Sequence, residues 1–130
     1  MRFPEELWPD SSECLAVRAL VDGFPDAALI LSDKLANTLY FSPAAEALFG
    51  DRAEAIVNRL TLSLLGFGER DRVPQSLLAA LLGESGPWEG IVHLQTAAGP
   101  RQAFASISAI RRRDGSLLAG VVRIGKVQGA

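Results

Sequence analysis

The side chains able to do chemistry are few, and the first to weigh is His93, the sole histidine of the chain. Imidazole titrates near neutral pH and ligates haem iron, so His93 is the natural proton switch or axial ligand. It alternates with Val92 and Leu94, which turns it to the opposite face of a strand, toward the N-terminal segment, and predicts a half-buried, hydrogen-bonded ring. Cys14 is the sole cysteine. It can form neither an intramolecular disulfide nor a multi-cysteine metal site, and its amphipathic surroundings mark it as a small buried apolar residue. Ser85, in Gly83-Glu84-Ser85-Gly86, lacks the spacing of a nucleophile elbow and precedes a strand instead of following one. Glu46, Glu54, Glu69 and Glu84 are scattered over helix starts and loops, with nothing to pair them as acid and base. Gly66-Phe67-Gly68 is not followed by the lysine and hydroxyl residue of a phosphate loop. The basic run Arg111-Arg112-Arg113, with Arg101 and Arg123, has no interleaved aromatics for base stacking and suits the solvated end of a hairpin. No catalytic constellation emerges, so the chain is read as non-enzymatic, with no metal site.

The composition agrees. A length of 130 residues is that of one domain, and 48% hydrophobic against 22% charged residues is globular. A formal net charge of -2 gives no global attraction to phosphate backbones or anionic lipid, which speaks against nucleic acid and membrane as partners. Apolar runs such as Ala27 to Leu31 stop far short of the roughly 18 to 20 residues that span a bilayer. Glu5, Glu6 and Asp10 stand where a signal peptide would be basic and then apolar, so the expected location is cytoplasmic.

The elements that must position these residues follow from local signals. Met1 to Asp10, with Pro4 and Pro9, is expected to be an irregular arm offering Phe3, Leu7 and Trp8 for docking. Cys14, Val17, Leu20 and Val21 recur at helical spacing, predicting an amphipathic helix capped by Ser11 or Ser12 and stopped at Gly23. Ala27 to Leu31 and Thr38 to Phe41 read as a hairpin turning at Asp33 to Asn37. Ser42-Pro43 starts a helix that ends at Gly50. Arg52 to Leu65, with Ile56, Leu60 and Leu64 four apart, holds one or two short helices, and Asp71 to Leu82 another, with Leu77, Leu78, Leu81 and Leu82 inward. Glu89 to Thr96, Arg101 to Arg111 and Leu117 to Gly125 read as three antiparallel strands, the last two joined at Asp114-Gly115. The predicted class is α+β: a five-stranded antiparallel sheet with short helices on one face.

In that order and spacing, Phe24-Pro25-Asp26-Ala27, Tyr40-Phe41-Ser42-Pro43-Ala44-Ala45-Glu46-Ala47-Leu48-Phe49-Gly50, Gly86-Pro87-Trp88-Glu89-Gly90 and Arg113-Asp114-Gly115 resemble a PAS domain, over roughly residues 20 to 126. Ser42 stands where that family commonly has asparagine, and the last strand ends in Val122-Arg123-Ile124-Gly125-Lys126 without the family's usual Asp-Ile-Thr ending. The resemblance implies a sensory input module of a bacterial-type histidine kinase or diguanylate cyclase, linked to an effector domain of a longer parent. It implies residues 1–22 as arm and helix, 23–127 as the domain and 128–130 as a tail. Haem-binding members carry their histidine on the helix before the third strand, where Asp71 to Leu82 has none, so haem is disfavoured. Light-sensing members need a cysteine among the central helices and an amide where Leu94 stands, so a covalent flavin is disfavoured too.

Such a fold encloses a ligand pocket between sheet and helices. The strand phases predict its lining as Ile30, Phe41, Val92, Leu94, Phe104, Leu118 and Val122, met by Leu48, Leu60, Leu64, Leu78 and Leu82, with Ser32, Ser106 and Ser108 as polar anchors. The opposite face, with Leu29, Leu31, Ile107, Ala109 and Val121, needs a cover. Cys14, Val17, Leu20 and Val21 supply one in the same chain or across a homodimer. A ligand-free interaction module on the same scaffold is the alternative, and a small-molecule enzyme the third reading.

Overall fold

The computed structural model describes residues 3–50, 52, 61–67 and 73–128. Pro4 and Pro9 bracket a single 3-10 turn, Glu5–Leu7, in the arm. Helix α1, Ser11–Gly23, is capped by Asp10 and not by the serines. The Asp10 carboxylate accepts from Ser12 N at 2.9 Å and Glu13 N at 3.1 Å, satisfying two orphan donors where a hydroxyl satisfies one. Strands β1, Ala28–Ser32, and β2, Thr38–Phe41, form the expected hairpin. Asp33 Oδ1 closes its turn by accepting from Leu35 N and Asn37 N.

Helix α2 spans Pro43–Phe49 and stops at Gly50, whose φ of 76° is left-handed. Ser42 does more than cap it. Its Oγ accepts from Ala45 N and Leu29 N and donates to Ala27 O, stitching the helix start to β1. The short helices α3, Thr61–Leu64, and α4, Gln75–Leu81, follow. Helix α4 begins after Pro74 with no side-chain cap, and Asp71, where that helix was expected to start, lies outside the described residues, as do Ile56 and Leu60.

Strands β3, Trp88–Thr96, β4, Gly99–Arg111, and β5, Leu117–Gln128, complete one antiparallel sheet in the order β2-β1-β5-β4-β3. Its inner face, Ala28, Ile30, Phe41, Val92, Leu94, Ala103, Ala105, Ile107, Val122 and Ile124, packs on Ala45, Phe49, Leu62, Leu64, Leu65, Leu77 and Leu81 from the helices. On the outer face Leu31, Tyr40, Leu118, Ala119 and Val121 are covered by Phe3, Trp8 and Val17.

Two strand phases correct the sequence reading. Val92 pairs with Ala103 and Ile107 with Val122, so the inner residues of β4 are Ala103, Ala105 and Ile107. Ile107 is fully buried there, and Ala109 lies on the same side, under Gly83. Phe104, Ser106 and Ser108 therefore face outward. Both faces of β4 carry small residues, so periodicity did not distinguish them, and partner register decided. Leu118 is the second correction: Ile110 pairs with Ala119 but Arg111 with Leu117, so Leu118 is an extra residue at a bulge and joins the outer cluster.

Candidate functional site

The inner layer is where the sequence placed a pocket. Ile30, Phe41, Leu64, Val92, Leu94 and Val122 do come together there in one buried cluster, with Leu48 and Leu78 packed at its margin. Leu82, at the end of α4, is half-buried and lies outside that cluster. The Phe41 and Phe49 rings meet at 5.2 Å. Two glycines let helices and sheet touch. A Cβ at Gly120 would sit 2.5 Å from Leu81 O, and one at Gly66, whose φ is 90°, 2.3 Å from His93 O. Two polar features interrupt this apolar layer. Thr38 and Thr61 hydroxyls pair at 2.9 Å, while the Ser32 Oγ, fully buried beside Gly120, has no hydrogen-bond partner among the described residues.

On the outer face, α1 brings Cys14, Val17, Leu20 and Val21 against Leu31 and Val121, with Leu29 on the same side; Ile107 and Ala109 are the two members of the expected outer set that lie on the inner side instead. The same chain thus supplies the cover. Two clasps hold it at the start of β5. Trp8 Nε1 donates to Leu118 O at 3.1 Å, and Arg112 bonds Leu117 O at 2.7 Å and Glu13 Oε2 at 2.8 Å. Arg112 is thus part of the packing, whereas Arg111 and Arg113 are exposed as a hairpin end requires. The arm's value was legible in its aromatics; the bulge that receives Trp8 was not.

Helix α1 covers the β2-β1-β5 half and the Ile110 end of β4. Beyond it the cross-strand pair Ile91 and Phe104 stays 47% and 39% exposed. His93, expected to be half-buried under α1, is exposed for the same reason: β3 is the far edge strand. No serine or carboxylate among the described residues bonds its ring, and no cluster of three or more metal-ligating side chains occurs among them. Between α1 and β4 lies a groove of about 190 Å³ lined by Leu20, Phe24, Leu29, Ser106, Ser108, Val121 and Arg123. Among the described residues no helix is long and apolar enough to cross a membrane.

No family model and no curated protein matches the sequence. Solved structures do match the architecture. The PAS domain of nitrogen regulation protein NR(II) from Vibrio parahaemolyticus superposes with a TM-score of 0.62 at 22% identity, covering 82% of this chain and 97% of that one. This chain has the PAS fold. A domain of the sensory box sensor histidine kinase/response regulator from Geobacter sulfurreducens is similar at TM-score 0.65 and 18% identity, covering 86% of this chain and 92% of that one. The Rhodobacter sphaeroides LOV protein matches at TM-score 0.70 and 16% identity over 89% of this chain and 67% of that one. Within the PAS fold, Cys14 lies on α1 across the sheet from α2, α3 and α4, and Leu94 is buried in the inner layer.

Proposed function

We propose that this chain is the sensory input module of a cytoplasmic histidine kinase or diguanylate cyclase type protein, without catalytic chemistry of its own. It works as a homodimer and passes a change in its inner layer through the sheet to the outer face. The observation that carries this reading is the asymmetry of the two faces: the inner one is a helix-covered apolar layer containing the orphaned Ser32 hydroxyl, the outer one a half-covered apolar surface. A small apolar ligand among Ile30, Phe41, Leu64, Val92, Leu94 and Val122 shifts the equilibrium between two packings of helices on sheet. Leu15 and Phe24 of α1 and its cap stand 66% and 38% exposed and, with Ile91 and Phe104, offer a self-complementary surface to a second copy.

A ligand-free dimerisation module is the second reading, favoured by how completely Phe41, Phe49, Leu62, Leu65, Leu77 and Leu81 fill the inner layer. Native mass spectrometry with an absorbance spectrum separates the two. A co-purified organic molecule supports the sensor; an empty dimer supports the second reading. A monomer by light scattering at every concentration overturns the dimer in both.

A further inference from the structure

The groove beside α1 has the composition of a binding site on the side of the sheet away from the proposed pocket. Its floor is two rows of in-register residues. Leu29, Arg123 and Ser106 stand side by side across β1, β5 and β4, and Leu31, Val121 and Ser108 form the next row. Leu20 and Phe24 wall it from above. The Arg123 guanidinium lies over the Phe24 ring at 4.9 Å, and it has no carboxylate partner among the described residues. The Ser106 and Ser108 hydroxyls have no hydrogen bond there either. The groove thus presents one planar cation, two hydroxyls, apolar walls and no acidic lining residue.

From this we propose that the groove binds a short apolar monocarboxylate, its carboxylate held by Arg123 and the two serines and its hydrocarbon seated on Leu20, Phe24, Leu29 and Val121. A guanidinium and a carboxylate match in geometry and bond as a fork. The volume of about 190 Å³ is that of about six waters, which suits a chain of a few carbons. Glu89, which pairs with Ser106 from β3, is exposed and does not line the groove. The site rests on the outer face alone and does not require an occupant in the inner layer.

The test is a titration of the isotope-labelled protein with hexanoate, followed by amide resonances, with hexan-1-ol and hexylamine as controls. Saturable shifts confined to Phe24, Ser106, Ser108, Val121 and Arg123 are expected with hexanoate, and affinity at least tenfold weaker with either control. Arg123→Gln lowers hexanoate affinity at least tenfold, and Ser108→Ala, which keeps the charge, lowers it several-fold. Equal binding of hexan-1-ol, full affinity in both variants, or no saturable shift overturns the proposal. Shifts at Val92, Leu94 and Val122 instead place the carboxylate in the inner layer, which also overturns it while supporting the sensor pocket.

Discussion

Replacing Trp8 by phenylalanine isolates one hydrogen bond that ties the N-terminal arm to the sheet. Trp8 is 3% exposed, stacks on Phe3 at 5.5 Å, and donates its indole N–H to Leu118 O. Leu118 is the extra residue of a bulge, whose carbonyl is free of the regular ladder. Phenylalanine keeps most of the apolar contact with Phe3 but leaves that carbonyl buried without a donor, a loss of about 1 to 3 kcal/mol. Alanine also removes the packing, bringing the loss to about 3 to 5 kcal/mol. Out of the roughly 5 to 15 kcal/mol typical of a whole domain, either is large. Urea unfolding followed by far-ultraviolet circular dichroism measures both, with an unchanged denaturant slope showing that the same structure unfolds. If Trp8→Phe lies within about 0.5 kcal/mol of the parent, the range of an ordinary surface change, the clasp contributes nothing and the arm is not part of the fold.

The corrected phase of β4 predicts a contrast between neighbours. Ile107→Ala costs about 2 to 5 kcal/mol, whereas Phe104→Ala, which removes a partly exposed ring, costs under about 1 kcal/mol; urea titrations giving the reverse order restore the other phase. Ser32→Ala removes an orphaned buried hydroxyl and is expected to leave the midpoint of thermal unfolding unchanged or raised, and a clear drop shows that the hydroxyl has a partner. Asp10 and Asp114 are held below the ordinary carboxylate range, first by the Ser12 and Ser116 hydroxyls and then by backbone N–H groups. A depressed folded value means stability present at neutral pH and lost as pH falls through that value, so Asp10→Asn with Asp114→Asn flattens the acid limb of the stability profile. An unchanged limb in thermal melts at stepped pH excludes these caps as its cause.

What the amino-acid sequence determined by itself was everything encoded within a few residues of chain. Ser42-Pro43 and Gly50 bound α2 because a capping hydroxyl, a residue with no N–H to lose and a left-handed φ act locally. Asp114-Gly115 turns the last hairpin for the same reason, the Asp114 carboxylate accepting from Ser116. The order of helices and strands, and the inner positions of Ile30, Phe41, Val92, Leu94 and Val122, were likewise legible, from the period of two along each strand.

The tertiary structure alone decided the rest, because it depends on partners far along the chain. Ala103, Ala105, Ser106, Ser108 and Ala109 are nearly alike in size, so the face of β4 was set by pairing with Val92 and Val122 and by how close α4 comes. The bulge at Leu118 became visible only in register with β4, and it is what exposes carbonyls for Trp8 and Arg112. The reach of α1 across the sheet decided which outer residues are core and which remain surface, and so left His93 in solvent and brought Ser106, Ser108 and Arg123 together under Leu20 and Phe24. Short-range signals choose an element's type; only long-range packing chooses what each of its faces meets.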